Sequence, residues 1–398
     1  MEGFLLALRR GARFFPATAV LCAVATVGAA AATFEDLAAQ AAQARRGNRI
    51  PEAIGLYRQA VELRASWVEG WWFLGTLSYA TYQYADCESA FDQFVKLDGK
   101  RALAWSLLGL CEFETGKYDP ALDHLRTGLA GKDLAPEVEA GVRFHFGLLL
   151  TRAGLFDRGN RELARYARGG AHEPMLIAGL GLNALHQPWL PKDMPAERQD
   201  AVMKAGAATR SWILGETGPA EAGFQELVKQ YPTVTGVHYA YGTYLSYVRP
   251  QEAMAEFRRE LELNPDNADA DAMLALLLVH AKDLNGALPH ARKAAAEKAS
   301  DALAEYAYGE VLLGTGDLRP AIARLEAAER LDPAAIQYHM ALAAAYSRVG
   351  RHQDARQERL VSMDMAGAPS REAGAQNAAD RAEVRARAKN GGAPVPEN

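Results

Sequence analysis

The residues able to do chemistry are present, but their spacing does not assemble a reactive site. Nine histidines are scattered along the chain. His280 and His290 lie ten apart and fall on different helices of one hairpin, whereas a structural zinc site needs four convergent ligands. His145 and His339 read as helix-surface residues. No HExxH, GxxxxGK, GxSxG or CxxCH pattern occurs. Gly179-Leu180-Gly181-Leu182-Asn183-Ala184 has the spacing of a dinucleotide fingerprint, but it lies in an apolar helical stretch with no strand before it. Cys87 and Cys111 stand on helices expected to pack together. They read first as two small buried apolar residues; an oxidising compartment would permit a bridge between them if their Cα atoms lie within about 7 Å. No catalytic, metal or cofactor residues are therefore assigned, and the chain reads as non-enzymatic.

Composition narrows the field further. The 398 residues are 49% hydrophobic and 23% charged, which is ordinary for a folded soluble protein. That length allows several domains or one long repeat array. The net charge of −5 argues against nucleic acid as partner, since a phosphate backbone calls for clustered positive charge. Three cysteines exclude a disulfide-dense scaffold and a four-cysteine zinc site.

The first 32 residues read as an address. Arg9, Arg10 and Arg13 precede an uncharged run from Ala17 to Ala32, which ends in an A-x-A arrangement. This is the layout of a secretory signal peptide cleaved near Ala32. The sixteen-residue run is short for a membrane span, which takes about 20 residues, so an uncleaved inner-membrane anchor is the second reading. The expected location is periplasmic or secreted, in a bacterium.

The remainder is organised by a period of 34 residues. Small residues recur at Ala41, Gly75, Gly109, Gly147, Ala208, Gly242, Ala275, Gly309 and Ala343. A second series follows about twelve residues later: Ala53, Cys87, Ala121, Gly159, Ala220, Ala253, Ala287, Ala321 and Ala355. Between the markers, apolar residues recur at three- and four-residue steps, the signature of amphipathic helices. Gly116 breaks one helix from the next, and Asn264-Pro265 and Asp332-Pro333 close others. Each unit is thus a helix hairpin, with small residues where its two helices cross. One hairpin cannot bury its own apolar face, whereas a stack can.

Trp71-Trp72-Phe73-Leu74-Gly75, Trp105-Ser106-Leu107-Leu108-Gly109 and the closing prolines Pro232, Pro265 and Pro333 resemble the tetratricopeptide repeat. The resemblance covers about residues 34–365. Units one and seven depart from it, with alanine where larger residues are expected. It implies an all-α, right-handed superhelical solenoid of about nine helix-turn-helix units, binding proteins or peptides on its concave face. The expected layout is four units over 33–169, an inserted helix and Pro-rich loop over 170–196, five units over 197–365 and a disordered tail over 366–398.

In that family the first helix of each unit lines the groove. By register, the groove here would show Trp72, Thr76 and Tyr79, then Ser106, Leu110 and Phe113, then Phe144 and Leu148. Tyr239 and Thr243 follow, then Tyr306, Glu310 and Leu313. The asparagine and lysine that grip a partner's terminal carboxylate in some members are missing, which argues against a chaperone-tail adaptor. An aromatic, apolar groove suits a helix or extended segment of a partner protein. The alternative is a polysaccharide-binding accessory, with sugar rings stacked on Trp72 or Tyr79. In the interrupted stretch, Pro188, Pro191 and Pro195 forbid a regular helix. Trp189 and Leu190 there either fold back between units or form a partner-contacting loop.

Overall fold

The computed structural model describes residues 32–131 and 134–367. The expected signal segment and nearly all of the expected tail therefore lie outside the described residues. Within them the regular structure is helical, and no helix is long and apolar enough to cross a membrane. The chain divides into two compact units, Met1–Leu227 and Val228–Asn398.

In the first unit the helices are α1 (Phe34–Arg46), α2 (Ile50–Leu63), α3 (Val68–Ala80), α4 (Tyr84–Leu97), α5 (Ala102–Glu114), α6 (Tyr118–Ala130), α7 (Pro136–Arg152) and α8 (Phe156–Arg168). They pair as four consecutive hairpins. Next come α9 (Pro174–Ala184), α10 (Gln199–Ile213) and α11 (Thr217–Gln230), the last containing the division between units. The second unit holds α12 (Val237–Val248), α13 (Pro250–Leu263), α14 (Ala268–His280), α15 (Leu284–Glu297), α16 (Ala302–Thr315), α17 (Leu318–Leu331) and α18 (Ile336–Arg348). A last helix, α19, runs over 352–367.

The small residues do at each crossing what the spacing requires. A Cβ on Gly75 would sit 2.8 Å from the Phe91 ring, one on Gly109 2.8 Å from Leu125, and one on Gly309 2.7 Å from Leu325. In each case the large residue lies sixteen positions later, on the second helix, and is wholly buried. Burying such a side chain is worth about 1.5–3 kcal/mol, and the glycine opposite lets the helices close around it without a void.

The hairpin turns repeat as well. Seven residues after the small marker the backbone turns left-handed, at Asn48, Tyr82, Gly116, Gly154 and Gly215 in the first unit and at Lys282, Gly316 and Gly350 in the second. Glycine and asparagine adopt that region at little cost. The turn from α12 to α13 differs. There the single residue Arg249, at φ −146°, joins the helices, and Pro250 opens α13. The loss of one turn residue accounts for the 33-residue spacing from Ala220 to Ala253.

α9 is the helix expected within 170–196, and its glycines make a close approach to α10. A Cβ on Gly181 would fall 1.9 Å from the Val202 carbonyl oxygen of α10, and one on Gly206 1.8 Å from that of Ile177 on α9. The glycine spacing that resembles a dinucleotide fingerprint is therefore a helix crossing, backbone against backbone. Asn183 on α9 donates to Thr151 Oγ1 and to the Phe156 carbonyl, both at 2.9 Å, tying α9 to the fourth hairpin.

Candidate partner-binding groove

The expected groove residues separate into two sets. Trp72, Thr76, Tyr79, Thr243 and Tyr306 keep part of their surface open. Trp72 rests on Phe91 and Phe94, at ring separations of 5.8 and 5.3 Å, with the Arg101 guanidinium 5.1 Å from its centroid. Thr76 donates to its own helix at Trp72 O, 3.0 Å away, so its hydroxyl is already satisfied. Tyr79 stands edge-on to Tyr84 at 6.0 Å. Burial pushes both phenols up, Tyr84 to about 12, so neither ionises near neutrality. Thr243 likewise donates back to Tyr239 O at 2.9 Å.

The second set belongs to the core. Ser106 is wholly buried and donates to Ala102 O at 3.0 Å, lying where a Cβ on Gly128 of α6 would collide. It fills the crossing within its own hairpin. Leu148 is 1% exposed because α9 lies over it; a Cβ on Gly179 would sit 2.6 Å from Leu148 Cδ2. Tyr239 packs edge-on to Phe257 at 5.6 Å and is buried within its hairpin. Leu110, Phe113, Phe144 and Leu313 are also buried, with Phe144 stacked on Tyr166 at 4.8 Å. The register places all of these on first helices, but neighbouring helices close over them.

The Pro-rich loop divides in the same way. Leu190 is 1% exposed and joins the core of the first unit, so it is a packing residue and not a contact. Trp189 is half-buried. Lys192 Nζ lies 5.2 Å from the Tyr118 ring centroid, which pins the loop beside the α5–α6 turn.

Histidines supply what the sequence reading missed. His145 and His339, expected on helix surfaces, are each only 4% exposed. His145 Nδ1 lies 2.8 Å from Gly141 O, with the Phe113 ring edge-on at 4.8 Å; burial holds its imidazole neutral by lowering its pKa. His339 occupies the slot that Trp71 and Trp105 occupy earlier, four residues before the small marker. Trp71 and Trp105 donate Nε1–H to carbonyls six residues back, at 2.7 and 2.8 Å. His339 Nε2 reaches Pro333 O at 3.0 Å and His238 Nε2 reaches Pro232 O at 2.9 Å, again six back. Their Nδ1 atoms meet Glu358 at 2.7 Å and Glu256 at 2.6 Å on the second helix. With an oxygen acceptor at each nitrogen, both rings favour the imidazolium form, and both pKa values are raised.

The same slot carries Arg143 against Glu162 at 2.9 Å, Asp271 against His290 at 2.6 Å and Glu305 against Arg324 at 3.0 Å. The signal was a complementary pair nineteen residues apart, eighteen in the hairpin with the shortened turn. His280 and His290 do not converge, and no group of three metal-capable side chains forms among the described residues. Cys87 on α4 and Cys111 on α5 are disulfide-bonded, with Cα atoms 6.1 Å apart and both sulfurs buried. The first reading, two unlinked apolar residues, is replaced by a bridge between the second and third hairpins.

No curated protein matches the chain. A MamA structure from Desulfovibrio magneticus RS-1 is 24% identical over 42% of this chain and 96% of its own, with a TM-score of 0.35. The APC/C hetero-tetramer Cut9-Hcn1 is 14% identical, covering 84% and 66% at a TM-score of 0.39. YrrB, described as a TPR protein with an unusual peptide-binding site, is 14% identical, covering 68% and 88% at 0.27. A family model described as tetratricopeptide repeat matches residues 74–136 and 306–363. The hairpins, crossings and turns repeat at that period, and the chain carries tetratricopeptide repeats over the matched residues.

Proposed function

We propose that the chain is a non-catalytic scaffold, exported from the cytoplasm, that binds a segment of a partner protein along its first helices. The observation that carries this reading is the partly open aromatic and hydroxyl row of Trp72, Thr76 and Tyr79 on α3. Each is held rigid by its own neighbours, so little side-chain entropy is lost on binding. Rigid, half-buried aromatics are the residue type that dominates interface energetics. The matched repeat family supports a protein or peptide partner. The Cys87–Cys111 bridge supports export, because disulfides persist in oxidising compartments.

Crosslinking capture from the native envelope fraction, followed by mass spectrometry, tests the assignment. The wild type should recover a stoichiometric protein. The Trp72→Ala/Tyr79→Ala and Thr76→Arg variants should recover at least tenfold less, with unchanged helical circular dichroism. Thr76 bonds only its own helix, so its replacement separates binding from folding. Equal capture by all three proteins would sink the groove assignment.

A further inference from the structure

In the second unit, α14 and α16 are the first helices of consecutive hairpins, and they pack directly on one another. Ala268, Ala272, Ala304 and Ala307, buried in one cluster, permit that approach. Small residues on both helices thus let these two first helices come together.

Glu310 stands on α16 one residue past the small marker Gly309, the register that Thr76 and Thr243 hold in their units. It is half-buried. Four of the unit's deeply buried carboxylates are answered by charge, Glu305 by Arg324, Asp269 by Lys298, Asp271 by Lys293 and Glu256 by Arg259, and Glu260 by the N–H groups of Gly236 and Tyr239 and by Asn267. Glu310 has no such answer; among the described residues it makes no hydrogen bond or ion pair and feels only the charge of His280, at the end of α14. Burial raises its pKa, as expected of a carboxyl short of water and of donors. Tyr306, one turn earlier on the same helix, is braced by the Tyr338 ring at 4.9 Å and sets an aromatic surface beside it.

We propose that Glu310 is the charge-selecting contact of this groove and takes a lysine or arginine side chain of the partner segment. The proposal rests on the groove reading above. A basic side chain suits both features, since its methylene stem covers Tyr306 while its charged end meets the carboxylate. Charge complementarity selects among segments that the apolar surface alone would accept equally.

A phage-displayed random decapeptide library, panned on the full chain, is the probe. Wild type should enrich peptides with Lys or Arg at one fixed register. Glu310→Gln should lose that enrichment and Glu310→Lys should shift it toward Asp or Glu. A selected peptide should bind Glu310→Gln at least tenfold more weakly. Replacing its basic residue with norleucine should weaken binding to the unaltered protein to the same degree, which removes folding of the variant from the question. Enriched peptides without a basic register, or binding indifferent to both replacements, would overturn the role of Glu310 and leave the groove reading standing. No enrichment by any form of the protein would overturn both.

Discussion

A single position in the repeat shows how side-chain chemistry is exchanged while backbone geometry is kept. Trp71 and Trp105 plug the hairpin with an indole and donate to a carbonyl six residues back. His238 and His339 make that same bond with Nε2 and add an ion pair through Nδ1. The exchange makes the second unit sensitive to pH. The groups facing His238 are Glu256 and Glu260, and those facing His339 are Glu358 and Glu329, all of which favour the charged ring. A histidine whose folded pKa is raised stabilises fully below its unfolded value of about 6.5, and the contribution fades as pH climbs through the folded value. His145 in the first unit behaves oppositely, since its lowered pKa means that acid must charge a buried ring. Melting of the full chain between pH 8.5 and 6 should therefore show the second unit gaining stability. A His238→Gln/His339→Gln variant should lose that gain while keeping an amide donor in each slot. The expected loss is about 1.5–3 kcal/mol per histidine at pH 6, the usual worth of a hydrogen bond to a charged group. A pH profile identical to wild type would show that the two rings do not titrate in this range.

At the scale of helices, the crossings carry the specification. Gly181 and Gly206 bring α9 and α10 into backbone contact, so a side chain at either position has nowhere to go. Gly206→Val should cost roughly 3 kcal/mol, the upper end of overpacking effects, and should loosen the cover that α9 gives Leu148. Gly141 on α7 faces open space, with nothing within 4 Å of where a Cβ would stand, so Gly141→Ala should be neutral or gain about 0.5–1 kcal/mol from helix propensity. Urea unfolding of the two variants against wild type checks both signs, and equal midpoints would refute the crossing argument. These positions also show what could be read in advance. The period, the small markers and a helix within 170–196 were legible because crossing geometry admits few residue types. The fate of Ser106, Leu148 and Leu190 was not, since all three depend on which neighbour closes over them. The buried histidines were missed for a related reason. A lone polar residue in a helix reads as surface until its partner nineteen residues away is counted with it.

On the scale of the whole chain, each hairpin leans mainly on its neighbours, so stability is close to a sum of hairpins and interfaces. A covalent link between two hairpins then acts on one interface of that sum. Cys87 and Cys111 close a loop with a sequence separation of 24 residues across the second and third hairpins. Constraining a loop of that size in the unfolded chain is worth about 3 kcal/mol. Because both sulfurs are buried, the bridge should resist reductant in the folded protein and yield once the first unit opens. A Cys87→Ala/Cys111→Ala variant should lower the first unit's unfolding transition by that amount and leave the second unit's unchanged. Alanine fits the place of Cys87, which Ala53 and Ala121 hold in the neighbouring hairpins. The bridge also bears on the proposed export, since disulfides persist in oxidising compartments. Peptide mapping after alkylation should find the pair joined in protein recovered from the envelope and as free thiols in protein retained in the cytoplasm. If the envelope form carried alkylated Cys87 and Cys111, the structural link would not form where the protein works, and the export reading would lose its main support.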